Sequence, residues 1–316
     1  MTGRKTDVIV VGELNVDLIL DRIESFPETG KEKLAGGMSL TLGSSSAIFA
    51  SNLSSLGSKV SFVARVGDDI FGRFCIDRLN EKGVDTGMLI RCGELATGAT
   101  VVLNFGEDRA MVTHQGAMRH LCLEDISSEM LATAKHLHFS SYFLQPGFRG
   151  QLGSLFKMAK KAGLTTSLDM QWDPAEQWDL DFMKVLPWVD IFFPNEQELL
   201  NLTGRRTVDD SLKELRKYGK LILVKQGSQG SLLSYENKTV RRTAFRNGQF
   251  VDAIGAGDSF NAGYIYKFLR GSSPEDCQVF GNLIGAISTT KAGGTAAFTS
   301  YEGTMKIAKN LFGYEE

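Results

Sequence analysis

Short apolar runs alternate along the chain with longer segments whose apolar residues recur every three or four positions. The short runs are typical of buried strands and lie at 8–11, 60–66, 137–139, 166–169, 191–193 and 221–225. The longer segments predict helices at 46–56, 70–82, 151–162, 196–203, 209–218, 258–270, 274–291 and 301–311. Strands that alternate with amphipathic helices predict an α/β fold with a mostly parallel central sheet.

Two segments follow a different period, in which apolar and polar residues alternate. One spans 33–42 and the other spans 99–114, where Gly106, Glu107 and Asp108 indicate a hairpin turn. This pattern predicts half-buried, antiparallel strands inserted into the α/β core. On the residues alone, these strands could simply extend an edge of the main sheet.

Composition narrows the range of functions. The chain has 316 residues, a net charge of −2 and a pI near 6.2, so it lacks the basic surface that nucleic-acid binding needs. No apolar run reaches the roughly 20 residues of a membrane span, and the N-terminus lacks a signal-peptide pattern, so a cytosolic location is expected. The four cysteines include no C-x-x-C pair and predict free thiols rather than disulfides or a zinc site.

A glycine-rich turn, Gly255-Ala256-Gly257, directly precedes the predicted helix 258–270. Such a turn presents unpaired backbone N–H groups and the positive end of a helix dipole, which together favour an anion such as phosphate. Asp258 follows the turn at once. Its carboxylate could cap the helix, or it could act as a general base that removes a proton from a hydroxyl group.

This stretch resembles the C-terminal signature of the ribokinase (PfkB) family of carbohydrate kinases, and the resemblance extends over nearly the whole chain. It implies one ribokinase-like domain over 1–316, with a three-layer α/β/α core and a mostly parallel central sheet. A small β-sheet lid is implied from about 13–42 and 97–117. The resemblance also implies that the backbone of Gly255, Ala256 and Gly257 forms an anion hole and that Asp258 is the catalytic base.

Other stretches match the sugar-binding positions of that family. Asn15 and Asp17 follow the first strand as Asn-x-Asp, a pattern that an Asx turn would also explain. Before helix 46–56 the family usually has glycines where this chain has Ser44 and Ser46, and asparagine where it has Ile48, so the identity of the sugar stays open. The implied sugar contacts are Asn15, Asp17, Gly43, Ser44, Ser45, Gln171, Asp173 and Asp258.

The resemblance also implies nucleotide and metal sites. Asn195 and Glu198 match an N-x-x-E motif that binds Mg²⁺ through water, although acidic residues are common at helix starts for electrostatic reasons alone. The implied nucleotide contacts are Asn195, Lys225, Gly227, Ser228, Gly230, Gly257 and Asn282. A candidate K⁺ site matches at Asp252, Ile254, Ser288, Lys291 and Gly293, although Ala297 replaces a serine hydroxyl.

The predicted activity is ATP-dependent phosphorylation of the primary hydroxyl of a small neutral sugar such as ribose or fructose, with ATP and Mg²⁺ as cofactors. A neutral sugar is expected because Asp173 stands where related kinases of acidic sugars have arginine, and Arg109 on the lid is the one nearby cation. The alternatives are a nucleoside kinase, a 2-keto-3-deoxygluconate kinase and a catalytically silent sugar-binding regulator. Phe105 is the one clear aromatic residue of the lid, which disfavours a nucleoside. The chain has no Walker A or G-x-G-x-x-G sequence, the two common phosphate-binding patterns. The candidate assembly is a homodimer through the lid.

Overall fold

The computed structural model describes residues 5–105, 108–246 and 248–315. Its strands are β1 (Thr6–Val11), β2 (Asn15–Asp21), β3 (Gly37–Leu42), β4 (Val60–Val63), β5 (Arg65–Gly67), β6 (Ile90–Cys92), β7 (Gly98–Phe105), β8 (Asp108–His114), β9 (Ala134–Ser140), β10 (Thr165–Asp169), β11 (Ile191–Phe192), β12 (Leu221–Lys225), β13 (Ser231–Tyr235) and β14 (Lys238–Arg242). Its α-helices are α1 (Ser45–Ser55), α2 (Ile70–Glu81), α3 (Ser128–Ala132), α4 (Leu152–Lys161), α5 (Phe182–Val185), α6 (Glu196–Thr203), α7 (Val208–Leu215), α8 (Ala256–Phe268), α9 (Pro274–Ser288) and α10 (Tyr301–Phe312).

The central sheet has eight strands in the order β14-β13-β12-β11-β10-β9-β1-β4. The strands from β12 to β4 pair in parallel, whereas β13 and β14 add an antiparallel edge. Successive residues of β1 face opposite sides of the sheet, so Val8 and Val10 belong to one core and Ile9 and Val11 to the other. Helices α1, α8 and α9 cover the first core and α4 covers the second. The predicted three-layer α/β fold is therefore confirmed.

A second, smaller sheet has the order β3-β2-β7-β8. Strands β3, β7 and β8 come from the two segments with alternating polarity, which do not extend the central sheet, and β2 joins them from outside those segments. Asn15 and Asp17 lie within strand β2 and not in a turn after β1, so the Asx-turn interpretation is wrong. The turn residues Gly106 and Glu107 lie outside the described residues.

Several predicted boundaries are wrong for physical reasons. The predicted strand 60–66 is two strands, because Arg65 leaves the central sheet and pairs with Ile90. Helix 258–270 begins earlier, at Ala256, because Gly255 adopts the left-handed conformation (φ 70°) that turns the chain into the helix. The helices predicted at 209–218 and 274–291 end at 215 and 288.

Cys75, Cys92, Cys122 and Cys277 are free thiols, as predicted. Among the described residues, no helix has both the length and the hydropathy needed to cross a membrane. The expected cytosolic location stays a prediction.

Candidate active site

The carboxyl ends of β10 and β12 and the first turn of α8 meet at one edge of the central sheet. Gly255 precedes α8, and Asp258 is the third residue of the helix. The Asp258 side chain does not cap this helix, so the capping interpretation is wrong. Only 7% of Asp258 is exposed, so its carboxylate is held in a protected site at the glycine-rich turn.

Hydrogen-bond donors fix the Asp258 carboxylate. Gln171 Nε2 donates to Asp258 Oδ1 at 3.0 Å, and the Ser45 hydroxyl donates as well. Burial raises the pKa of Asp258 well above its ordinary value, and the charges of Asp169 and Glu13 raise it further. Lys225 and the Ser45 hydroxyl act in the opposite direction. A raised pKa brings a carboxylate closer to the range in which a general base works at neutral pH.

A buried ion pair lies next to Asp258. Lys225 Nζ is 2.5 Å from Asp169 Oδ2, and Asn261 Nδ2 donates to the same oxygen at 2.6 Å. The ammonium also borders the glycine-rich turn, because a Cβ added to Gly257 would lie 3.5 Å from Lys225 Nζ. The N–H groups at this helix start and the Lys225 ammonium suit a polyanion. The N–H of Ala256 already donates to the carbonyl oxygen of Ala253 at 3.2 Å, so the predicted anion hole has no free N–H group at Ala256.

Six of the seven nucleotide-binding residues predicted from the sequence line one cavity of about 380 Å³, whereas Asn195 does not line it. The cavity has apolar walls from Phe245, Phe250, Ala253 and Ala286, which suit a flat aromatic ring. Asn282 Nδ2 is buried there and has no hydrogen-bond partner among the described residues, so a ligand could use it. The predicted residues that line this cavity are Lys225, Gly227, Ser228, Gly230, Gly257 and Asn282.

Asn15 and Asp17 face the lid side of the site. Asn15 Nδ2 donates to Asp17 Oδ1 at 3.1 Å and to Thr100 Oγ1 at 3.2 Å. Gly43 lies against both side chains, since a Cβ at Gly43 would lie 2.2 Å from Asp17 Oδ1 and would have to displace that carboxylate. Burial and the charge of Glu13 raise the pKa of Asp17 to about 6, against the opposing Asn15 hydrogen bond.

A buried glutamate explains two serines that replace family glycines. Glu13 Oε2 accepts a hydrogen bond from Ser46 Oγ at 2.6 Å, and Glu13 Oε1 accepts one from Ser141 Oγ at 2.9 Å. Ser44 Oγ donates to the Glu13 carbonyl oxygen at 2.6 Å. Burial raises the pKa of Glu13. Ser44 and Ser46 therefore anchor the loop before α1 to the end of β1.

Asp173 is already bonded to its own loop. Its carboxylate accepts hydrogen bonds from the backbone N–H groups of Ala175, Gln177 and Trp178 at 2.7–2.9 Å. Asp173 therefore shapes the loop after β10, and it also lines a wide cleft beside that loop. Its predicted contact with the sugar stays a prediction. Arg109 stands close enough to Asp17 to lower the pKa of that carboxyl group.

Asn195 and Glu198 form a reciprocal cap at the start of α6. Asn195 Oδ1 accepts from Glu198 N, and Glu198 Oε2 accepts from Asn195 N, both at 2.8 Å. Burial and the charge of Asp169 raise the pKa of Glu198 to about 7. Among the described residues, no group of three or more histidine, cysteine or acidic side chains is placed to hold a metal ion. The side-chain oxygens of Asn195 and Glu198 are of the kind that Mg²⁺ prefers, often through its retained waters.

The candidate K⁺ residues lie around a loop that covers the glycine-rich turn. Asp252 accepts hydrogen bonds from the N–H groups of Ile254 and Gly293, both at 2.9 Å, and so joins the two loops. Lys82 Nζ donates to the carbonyl oxygens of Thr295 and Phe298 at 3.0 and 2.5 Å. The proposed K⁺ site stays a prediction.

A second, wider cleft of about 940 Å³ opens between the lid strand β8 and the loop after β10. Thr113 lines it on the lid side, and Trp172, Phe143 and Arg149 line it on the core side. Thr100 connects the two parts of the site, because its hydroxyl contacts both Thr113 and Asn15. The wider cleft is therefore connected to the cluster of Asn15 and Asp17.

The model of the pfkB family carbohydrate kinases matches residues 5–300 of the chain. The chain belongs to the pfkB family of carbohydrate kinases. The matched range includes the glycine-rich turn and Asp258.

Individual relatives of this carbohydrate kinase differ in their substrates. An uncharacterized sugar kinase of Archaeoglobus fulgidus is 28% identical over 76% of this chain and 95% of its own. A nucleoside kinase of Methanothermobacter thermautotrophicus is 25% identical over 98% of this chain and 97% of its own. The structure of Arabidopsis thaliana ribokinase with ribose and ATP superimposes with a TM-score of 0.82 at 25% identity, covering 96% of this chain and 99% of that one.

Sequence reasoning missed several residues of this kinase site. Asp169 and Glu13 each follow a buried strand, where acidic side chains of an α/β sheet face ligands, and this position was the available signal. Asn261 and Lys82 had no signal, since each contacts residues more than 90 positions away.

Proposed function

We propose that this carbohydrate kinase transfers the γ-phosphoryl group of ATP to the primary hydroxyl of a small neutral sugar. The observation that carries the proposal is the position of Asp258. It follows Gly257, which lines the cavity with Asn282, and the charge of Glu13 acts on both Asp258 and Asp17. A base placed between an anion site and a hydroxyl-binding site suits in-line phosphoryl transfer.

The roles of the residues follow from their chemistry. Asp17 and Asn15 bind sugar hydroxyls, and Asp258 takes the proton of the attacking hydroxyl as the oxygen–phosphorus bond forms. The N–H groups of Gly255 and Gly257, together with Lys225, stabilise the charge that develops on the phosphoryl oxygens. Mg²⁺, held through water by Asn195 and Glu198, would neutralise part of the triphosphate charge. The lid excludes water that would otherwise hydrolyse ATP.

An assay of ATP consumption with ribose, fructose, adenosine and 2-keto-3-deoxygluconate tests the proposal. The highest kcat/KM is expected for ribose or fructose, because no arginine faces a sugar carboxylate from the loop of Asp173. A preference for the acidic sugar would contradict this argument and point to Arg109, whose Arg109→Ala variant would then lose the preference. ATP turnover that no acceptor stimulates would contradict the kinase assignment.

A nucleoside kinase is the second candidate, and Trp172 is the observation that favours it. Trp172 is 43% exposed and lines the wider cleft, where a base could stack on its ring. The lid is thus not the only source of aromatic side chains at the acceptor site. In the same assay, a higher kcat/KM for adenosine than for ribose would favour this candidate.

Replacing Asp17 with alanine should weaken sugar binding while nucleotide binding survives. Asp17 belongs to the lid-side cluster with Asn15 and Gly43, and it does not line the cavity that holds Asn282. Loss of a charged hydrogen bond typically weakens binding about 10- to 100-fold. Calorimetric titration of sugar and of an ATP analogue checks this, and unchanged sugar affinity would contradict it.

Replacing Glu198 with glutamine should raise the Mg²⁺ concentration needed for half-maximal rate. The glutamine amide keeps an oxygen for the cap with Asn195 but removes the negative charge that attracts the hydrated ion. Sugar affinity serves as the internal control and should not change. If the Mg²⁺ titration matches that of the wild type, Glu198 is only a helix cap.

We also propose that two lids pair into a homodimer. The register of the small sheet places apolar residues opposite one another on the face away from Asp17, and these residues are Leu18, Leu20, Met38, Leu40, Val101, Leu103 and Val112. Val112→Lys should convert a dimer into a monomer in light scattering, because a charge would be buried at the contact. Ile70→Lys is the matched control, since Ile70 and Val112 are both 68% exposed. A wild-type monomer would contradict the proposal.

A further inference from the structure

Gln171 has a backbone conformation that glutamine rarely adopts. Its φ is 60°, in the left-handed region, and it lies two residues after the end of β10. A non-glycine residue in this region is sparsely populated and persists where the surrounding structure requires it. The backbone N–H of Gln171 points back to Asp169 Oδ1 at 3.3 Å, which fixes the turn.

This conformation aims the Gln171 side chain at two carboxylates. Gln171 Nε2 donates to Asp169 Oδ2 at 3.0 Å and to Asp258 Oδ1, also at 3.0 Å. A primary amide has two N–H bonds, so both donors of Gln171 are used within the protein. Neither donor remains for a sugar hydroxyl, although the sequence predicts Gln171 as a sugar contact.

We propose that Gln171 is a positioning residue for Asp258: its amide connects the base to the buried pair of Asp169 and Lys225 and holds one carboxylate oxygen in place. This inference rests on the proposed function, since it gives Asp258 the role of base. The two oxygens of a free carboxylate are equivalent. When Oδ1 is held by Gln171, Oδ2 is left to accept the proton of the sugar hydroxyl.

The position of Gln171 between two acidic groups also has an electrostatic consequence. Asp169 and Glu13 face Asp258 with negative charge, whereas Lys225 is the cation nearby and Ser45 donates a hydrogen bond. An N–H donor favours the charged form of a carboxylate. Gln171 therefore favours the ionised form of Asp258 next to the negative charges of Asp169 and Glu13.

The test compares Gln171→Asn and Gln171→Glu with the wild type. Asparagine tolerates left-handed backbone but is one methylene shorter, so it cannot reach both carboxylates. We expect kcat to fall about 10- to 100-fold, the usual contribution of a hydrogen bond to a charged group. In a plot of kcat against pH, the acid limb should move to higher pH. The KM for the sugar should stay within about threefold of wild type, because the lost interaction acts on the base and is absent from substrate binding.

Gln171→Glu keeps the shape and replaces the donor with a carboxylate. The ratio of its kcat to that of the wild type should rise as the pH falls, because only a protonated glutamate can donate to Asp258. Asn261→Ala is the matched control, since it removes a donor to Asp169 but none to Asp258. If Asn261→Ala moves the acid limb as far as Gln171→Asn does, the bridge to Asp258 is not the cause and the proposal fails.

A measurement without turnover separates this proposal from the proposed function. Carboxyl NMR of enzyme labelled with ¹³C-aspartate follows the pKa of Asp258, which should be higher in Gln171→Asn than in the wild type. If the pKa of Asp258 rises in this way but the enzyme phosphorylates no acceptor, the proposed function is refuted and the inference about Gln171 stands. An unchanged pKa with a raised sugar KM would make Gln171 a sugar contact and overturn the inference. Gln171→Gly, which relaxes the left-handed turn, provides the same test if the asparagine variant does not fold.

Discussion

Asp258→Asn is expected to lower kcat about 10²–10⁴-fold, the usual contribution of a general base. The amide is isosteric and can still interact with Gln171 and Ser45, so the fold and the glycine-rich turn should persist. ATP binding should survive, because the N–H groups of the turn are backbone groups. Steady-state kinetics with saturating sugar and ATP measures the loss, and a kcat within a few-fold of wild type would remove Asp258 from the mechanism.

The same variant should be more stable than the wild type at neutral pH. The pKa of Asp258 is raised in the folded protein, so the unfolded chain binds fewer protons between its ordinary pKa and the raised one. The contribution of Asp258 to folding stability is therefore fully present below its unfolded pKa and is lost as the pH rises through the folded pKa. Asparagine carries no charge and avoids this loss. Thermal denaturation at pH 4 and pH 8 checks the sign, since the gain from the variant should appear only at the higher pH.

The fold could be predicted because it depends on local patterns. Apolar strands that alternate with amphipathic helices indicate parallel α/β layers. Apolar and polar residues that alternate with a period of two indicate the half-buried strands of the smaller sheet. The strand β2 escaped this pattern because Asn15 and Asp17 place polar side chains at its start, where they face the site. Arg65 could not be predicted to leave the central sheet, because its apolar neighbours Ala64 and Val66 continue the strand pattern.

The site could be predicted only where its residues lie close together in the sequence. Gly255, Ala256, Gly257 and Asp258 are consecutive, and their chemistry follows from one helix start. Asp169 and Lys225 are 56 positions apart and meet because β10 and β12 both end at the same edge of the sheet. A juxtaposition of this kind depends on strand order, which no local pattern encodes. For the same reason the sequence suggested a sugar contact for Gln171, whose amide is occupied by two carboxylates.

Lys225→Met is expected to cost about 3–5 kcal/mol of folding stability, the usual penalty for breaking a buried ion pair. Asp169 is fully buried and the Lys225 side chain is 12% exposed, so water cannot replace the lost ammonium. The carboxylate of Asp169 would keep only the neutral amide donors of Gln171 and Asn261. Urea denaturation at pH 7 measures the loss, which should shrink at acid pH as the unpaired carboxyl group is protonated.

Lys220→Met is the matched control for this prediction. Lys220 pairs with Asp190 at 2.7 Å, but its side chain is 58% exposed, and an exposed pair contributes at most about 1 kcal/mol. The double variant Lys225→Met/Asp169→Asn should recover much of the stability, because it removes the unpaired charge together with its partner. Equal losses for Lys225→Met and Lys220→Met would show that burial does not strengthen the pair. A double variant as unstable as Lys225→Met alone would show that packing of the lysine stem, and not the uncompensated charge of Asp169, sets the cost.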